Sequence, residues 1–286
     1  MTVVAFDTVG AGSWLCPAGV TKIDVVVVGG AGGGGTGAQY VGGGGGVAAA
    51  NIQAKVTVVP GTTYITTVGD GGAGAATGSV NGSPGIGSIL YIGESPYITS
   101  NGGVGGNKGT ENNTGSENGA NGPGSGVGGA GVDGGAGSTG GGCAGVYPGG
   151  TAGTGGASGG GGGGGNLSWV CSVGLGGKGG HGYITITYTA ASAAFSGTPT
   201  SGDKPLTVSF TGPASQDTYS WDFGDEETAS TQSPSHEYHY TGKKTVILAT
   251  TNAYGFASET KVDYVTAYFK SRMHGAIIQS DGLRMT

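Results

Sequence analysis

Few side chains in this sequence have the type and spacing to do chemistry. The apolar run at 23–28 is followed by Gly30-Ala31-Gly32-Gly33-Gly34-Gly35, which spells G-x-G-x-x-G. In a dinucleotide fold those glycines open a helix whose N-terminus holds the pyrophosphate, and an acidic residue about 20 positions later meets the ribose. Here glycine simply continues, and no acidic residue occurs between Asp24 and Asp70, so no cofactor site is expected. Gly156-Ala157-Ser158-Gly159-Gly160 fits the nucleophile-elbow pattern, which works only on a strand-to-helix turn; inside a glycine run the match is fortuitous. The histidines are His181, His236, His239 and His274, none of them expected to partner a nucleophile or a paired acid. His236 and His239 lie three apart in a strand-like stretch, where they face opposite ways and cannot chelate one metal. No catalytic residue and no metal site is assigned.

Asp222, Asp225, Glu226 and Glu227 gather four carboxylates into six residues, oxygen ligands of the kind calcium takes. Calcium loops space their ligands more widely, so a solvated turn is the favoured reading. The polar run at 107–121 is the candidate exposed tip. Its amides and hydroxyls offer donors and acceptors to a sugar, and Asn112, Asn113, Asn118 and Asn121 are the candidate receptor-binding residues. A solvated loop is the competing reading, since no aromatic platform lies within the run. Tyr147 and Trp169 are the nearest aromatic candidates, and both read better as core.

The elements that must position such a tip follow from composition. Of the 71 glycines, 60 fall between positions 29 and 182, far above the usual share of about 7%. Many recur every third residue, as at Gly128, Gly131, Gly134, Gly137 and Gly140 and from Gly150 through Gly153, Gly156, Gly159 and Gly162 to Gly165. A period of three is neither helical nor strand-like. It suits an extended polyproline II helix with a glycine-only edge on which neighbours pack. Collagen shares the period but needs far more proline and an unbroken register.

Apolar strands bracket the glycine. Residues 3–6, 14–16 and 20–28 read as strands, with turns at Gly10-Ala11-Gly12 and Pro17-Ala18-Gly19. A second pair of strands, 55–59 and 62–68, is joined by Pro60-Gly61, and a third apolar patch covers 88–92 and 97–98. Tyr183-Ile184-Thr185-Ile186-Thr187-Tyr188 closes the region as an alternating strand, expected to pair with the N-terminal ones. Ends held together in this way require the glycine segments to run out and back as arms of a bundle, supplying one another's hydrogen bonds.

The net charge is −6 with only 11 Lys and Arg, and no basic cluster offers a footprint for nucleic acid or a membrane surface. The N-terminus lacks the basic start of a signal peptide, and the run Val25-Val26-Val27-Val28 is too short to span a bilayer. Cys16, Cys143 and Cys171 have no metal-type spacing and suggest free thiols in a reducing cytoplasm rather than a disulfide framework.

Two family resemblances cover most of the chain. Gly12-Ser13-Trp14-Leu15-Cys16-Pro17-Ala18-Gly19-Val20-Thr21, Val25-Val26-Val27-Val28-Gly29-Gly30-Ala31-Gly32-Gly33, Val58-Val59-Pro60-Gly61-Thr62-Thr63-Tyr64 leading to Val68-Gly69-Asp70-Gly71-Gly72, and Gly179-Gly180-His181-Gly182-Tyr183-Ile184 resemble the glycine-rich domains of bacteriophage tail-fibre, adhesin and other virion proteins. That resemblance implies a β frame carrying polyglycine II helices, with variable tip loops that touch the host surface. Residues 192–267 resemble the PKD domain, an immunoglobulin-like β-sandwich. The motif residues are Trp221-Asp222-Phe223-Gly224-Asp225, Pro234-Ser235-His236-Glu237-Tyr238, Gly242 with Thr245-Val246-Ile247-Leu248, and Asn252-Ala253-Tyr254-Gly255. Glu226 stands where that family usually has glycine, which puts the turn there in question; Trp221 reads as a core anchor.

The expected fold is all-β: a glycine-rich domain at 1–189 with a β frame and a polyglycine II bundle, an immunoglobulin-like domain at 190–267, and a tail at 268–286. Ile277 and Ile278 in that tail could add a strand to another subunit, with a loosely ordered terminus as the equal alternative. The expected function is structural, not enzymatic: a phage fibre, spike or decoration, assembled in the host cytoplasm and attached to other virion proteins, that contacts a host-surface glycan or protein. A capsid or tail decoration without receptor binding and a cell-surface adhesion module are the alternatives. A homotrimer would suit a fibre, although no coiled-coil heptads enforce one.

Overall fold

The computed structural model describes residues 1–35, 46, 49–76, 80–108 and 176–269. Contacts divide the chain into two units, Met1–Ala190 and Ala191–Thr286. All the regular structure among the described residues is β-strand.

In the first unit, β1 (Thr2–Phe6), β8 (Tyr183–Tyr188), β3 (Lys22–Val28) and β4 (Asn51–Thr57) form one sheet in that order. The second sheet is β2 (Gly10–Leu15), β5 (Thr63–Val68), β6 (Ser88–Ile92) and β7 (Ser95–Ser100). Alternation decides which faces meet: Tyr64, Thr66 and Val68 of β5 and Ile184, Ile186 and Tyr188 of β8 are buried while their neighbours are more exposed, as a half-buried strand requires. The Trp14 ring lies 5.7 Å from both Tyr64 and Tyr188, linking the two sheets. The closing strand β8 lies between β1 and β3, antiparallel to both.

Two local readings are corrected. Gly10-Ala11-Gly12 is not a turn but the start of β2, and the chain bends at Thr8-Val9. Gly12 is needed for close packing, since a Cβ there would meet Phe6 Cδ1 at 2.7 Å and Thr66 Oγ1 at 2.8 Å. The strands on either side of Pro60-Gly61 do not pair with each other either: β4 joins β3, whereas β5 joins β2 and β6. The turn crosses between sheets, tied by Gly61 N–H to Cys16 O and Val58 N–H to Thr21 O, each at 2.8 Å.

Beyond the sheets, five glycine segments lie side by side among the described residues, 29–35, 69–76, 80–87, 101–108 and 176–182, and Gly46 packs against Gly32. Their backbone hydrogen bonds repeat every three residues. Gly30 and Gly33 donate to Ile86 and Ser83, Ala31 and Gly34 to Gly180 and Gly177, and Gly72 and Ala75 to Ala31 and Gly34. Gly103 and Gly106 donate to Gly30 and Gly33, while Gly176, Gly179 and Gly182 donate to Ala75, Gly72 and Gly69, all at 2.7–2.9 Å. Segment 29–35 is buried throughout and is the hub. Around it segments 101–108 and 176–182 repeat glycine-glycine-X, with Asn101, Val104 and Lys178 on the exposed edge, and 69–76 exposes Ala73 and Ala76, whereas 80–87 carries single glycines at 82, 85 and 87.

This packing has a simple cause. A Cβ on Gly30, Gly33 or Gly32 would land on the carbonyl of Asp70, Ala73 or Val104, so at these contact positions only glycine lets the segments approach to hydrogen-bonding distance, whereas the bundle accommodates the Cβ of buried Ala31 and Ala75. Each glycine costs about 0.5–1 kcal/mol of extra backbone entropy, and the segments bury almost no side-chain surface. The frame, whose large apolar side chains contribute about 1.5–3 kcal/mol each when fully buried, must therefore hold the segments in register. Two buried serines make the junction: Gly69 N–H donates to Ser88 Oγ and Gly29 N–H to Ser100 Oγ, both at 3.0 Å.

The second unit is an immunoglobulin-like sandwich. β9 (Ser196–Thr198), β11 (Leu206–Thr211) and β14 (Ser235–Tyr238) form one sheet. The other contains β10 (Ser201–Asp203), β16 (Gly255–Tyr268), β15 (Gly242–Asn252), β12 (Thr218–Asp222) and β13 (Thr228–Ala229) in that order. Trp221 is fully buried among Phe195, Phe210, Phe223 and Leu248, and its indole N–H reaches Thr231 O at 2.9 Å.

Candidate functional region

The direction of the glycine segments places the chain's excursions. Segment 29–35 leaves β3 and runs away from the sheets. Its hydrogen bonds to 80–87 and 176–182 pair rising with falling residue numbers, so those segments run back; its bonds to 69–76 and 101–108 rise together, so those run outward. Positions 35, 76, 80, 108 and 176 consequently all lie at the end of the bundle away from the frame. The described residues on either side of 77–79 and of 109–175 therefore end there.

The candidate receptor-binding residues Asn112, Asn113, Asn118 and Asn121 fall within 109–175 and lie outside the described residues, as do Tyr147, Trp169, Ser158, His274, Ile277, Ile278, Cys143 and Cys171. Among the described residues, this end is pinned by the Lys108 N–H, which donates to Asn81 Oδ1 at 2.7 Å. Further down the bundle, Lys178 bonds Asp70 at 2.8 Å and ties segment 176–182 to 69–76. The Lys178 ammonium holds the Asp70 carboxyl below the usual carboxylate range, with the Gly71 N–H helping. Cys16 is a free, buried thiol, held up in pKa by that burial.

The dinucleotide motif is absorbed by the bundle. Among the described residues no helix follows β3, and Gly30, Gly33 and Gly34 spend their N–H groups on Ile86, Ser83 and Gly177, leaving none of the three to cradle a phosphate.

In the second unit the four carboxylates part company. Asp222 Oδ1 accepts the Gly224 N–H at 2.8 Å, an Asx-type turn. Asp225 Oδ2 lies 2.8 Å from His236 Nε2, both side chains nearly buried, and the largely exposed Glu227 stands 3.6 Å from His236 Nδ1. Among the described residues no group of three or more His, Cys, Asp or Glu is placed to hold a metal ion. His236 therefore does have an acid partner, contrary to the expectation from sequence. It stacks on Phe223 at 4.1 Å and meets the edge of Tyr238 at 4.5 Å, which makes the pair a core element. Period-two alternation was the available signal, since it puts His236 on the core face with Tyr238 and His239 outside; a buried imidazole then calls for a polar partner. Burial, with the Asp225 and Asp222 charges behind it, pushes the Tyr238 phenol far up. Glu226, at the position of the missing family glycine, has φ +75°, a left-handed conformation disfavoured for a residue with a Cβ.

Comparison with known families gives two matches. The glycine-rich domain matches residues 7–203, and the PKD domain matches residues 189–267. Neither is typically a catalytic domain. No curated protein matches the chain.

Proposed function

From the premise that this chain belongs to the glycine-rich domain family over residues 7–203 and carries a PKD domain, we propose that it is a structural display protein of a phage particle. Its glycine segments form a polyglycine II bundle, a reading supported by the three-residue period of their hydrogen bonds and by glycine at the contact positions. The bundle holds connecting loops away from the frame. Those loops, 109–175 foremost with Asn112, Asn113, Asn118 and Asn121, contact a glycan or protein on the host surface.

The carrying observation is directional: the described segments that flank 77–79 and 109–175 end at one end of the bundle, opposite the β frame. A rigid scaffold with its loops gathered at one end is the usual architecture for recognition. The PKD unit, whose acidic turn is occupied with its own packing, serves as a spacer or as the attachment to other virion proteins.

The test is immunogold electron microscopy of particles of the phage encoding the chain, with antibody to residues 192–267. Label at the tail tip supports host attachment. Label over the head favours decoration without receptor binding, and no label on any particle sinks the virion reading.

A further inference from the structure

We propose that Asn101 is a site of spontaneous modification: its side-chain amide cyclises onto the Gly102 nitrogen, and the rearranged product loosens segment 101–108 from the hub of the bundle. Among the described residues Asn-Gly occurs at Asn81-Gly82 and at Asn101-Gly102. The pair suits this chemistry because glycine puts no side chain beside the attacking nitrogen and lets the backbone turn freely. The Gly102 nitrogen, giving up its proton, attacks the side-chain carbonyl carbon of Asn101. The bond from that carbon to the amide nitrogen breaks, ammonia leaves, and a cyclic succinimide remains. Water then opens the ring at one of its two carbonyls. One opening leaves an aspartate at position 101; the other leaves an isoaspartate, in which the main chain runs through Cβ. Water is the only co-reactant.

The fold separates the two sites. At Asn81 both reacting groups are engaged: its Oδ1 accepts the Lys108 N–H at 2.7 Å, and the Gly82 N–H donates to Gly106 O at 2.8 Å. Attack there requires both bonds to break. At Asn101 neither group is held. The residue is exposed, and among the described residues neither its side-chain amide nor the Gly102 N–H has a hydrogen-bond partner. The first backbone tie of that segment comes one residue later, where the Gly103 N–H donates to Gly30 O at 2.8 Å. The peptide joining Asn101 to Gly102 can therefore turn toward the side chain without giving up a hydrogen bond.

Segment 101–108 has no slack for the isoaspartyl product. Its Gly103 and Gly106 N–H groups meet Gly30 O and Gly33 O in a three-residue register, and a Cβ on Gly102 would already land on the Gly85 carbonyl. Just upstream, Ser100 Oγ is fixed by the Gly29 N–H at 3.0 Å. An extra backbone atom between that anchor and Gly103 puts both glycine bonds out of phase. The aspartate product adds no backbone atom and leaves the segment seated. The inference stands independently of the host-attachment reading.

Ageing of the full chain at mildly alkaline pH, followed by chymotryptic peptide mapping, tests this. Tyr91 and Tyr97 lie between the two sites, so each is read on its own peptide, with isoaspartate scored by methyltransferase labelling. In the folded chain Asn101 should convert about tenfold faster than Asn81 or more, because two hydrogen bonds hold the latter. In urea the two rates should come together. Hydrogen exchange of the aged chain should show the Gly103 and Gly106 amides deprotected while those of β15 are unchanged. Asn101→Gln, whose longer side chain would have to close a larger ring, should keep both glycine amides protected on ageing, and freshly prepared Asn101→Asp should keep them protected as well. An Asn101 that converts no faster than Asn81 in the folded chain, or an aged Asn101→Gln chain that loses Gly103 and Gly106 protection as the parent does, overturns the proposal.

Discussion

Replacing Gly33 by alanine should disrupt the glycine bundle far more than the change of one methyl suggests. The added Cβ would fall on the carbonyls of Ala73 and Gly72, inside van der Waals contact with backbone that has no rotamer to move. Segments 29–35 and 69–76 must separate, while Gly33 also donates to Ser83 at 2.9 Å and accepts from Gly106 at 2.8 Å. Overpacking costs about 1–3 kcal/mol, and each buried backbone group left unpaired adds about 1–3 kcal/mol. Against this, alanine lowers the entropy of the unfolded chain by about 0.4–1 kcal/mol. The expected net loss is about 3–5 kcal/mol. Because the chain has two units, one global melting curve is ambiguous; native-state hydrogen exchange is the better assay. Protection of the Gly34, Gly72, Ala75 and Gly106 amides should collapse in Gly33→Ala, while the sandwich amides of β15 keep theirs. Val104→Ala, on the exposed edge of its segment, should change little. A Gly33→Ala protein that loses less than about 1 kcal/mol of protection at those amides would refute the close-contact account.

Glu226→Gly should stabilise the second unit by about 0.5–1 kcal/mol, measured by chemical denaturation: it removes a left-handed strain of about 1–2 kcal/mol at φ +75° and gives back about 0.5–1 kcal/mol in backbone entropy. Ser100→Ala should cost about 1–3 kcal/mol and deprotect the Gly29 amide in hydrogen exchange, because the buried N–H loses its only described acceptor. Asp70, with its pKa depressed chiefly by the Lys178 bond, contributes stability at pH above the ordinary aspartate value of about 3.9, lost as acidification passes through its lower folded value. In Lys178→Met, carbon-detected NMR should find Asp70 titrating closer to that ordinary value, with a smaller loss of stability on acidification.

How much was legible varied with the locality of the cause. The alternation of Tyr183-Ile184-Thr185-Ile186-Thr187-Tyr188 is set by one strand's two faces, and β8 lies where that pattern predicted. Trp221 was readable as core because it sits in a motif of its own neighbours. The turn placed at Gly10-Ala11-Gly12 was wrong because glycine has two uses, tight turns and close packing, and only the Phe6 ring and the Thr66 hydroxyl over Gly12 distinguish them. The pairing of the strands around Pro60-Gly61 failed for a similar reason, since a turn can reverse a strand within a sheet or cross to another.

The order of residues was enough to establish an all-β chain, a glycine-rich region with a three-residue period and a following sandwich with a tryptophan at its centre, because each rests on spacing along the chain. Which segment became the hub, which ran outward or back, and which acid met His236 were decided by tertiary structure alone. Those outcomes depend on hydrogen bonds and contacts between residues far apart in sequence: Gly34 with Gly177 and Asp225 with His236 are joined by the fold, and nothing in the local pattern at either end names the partner.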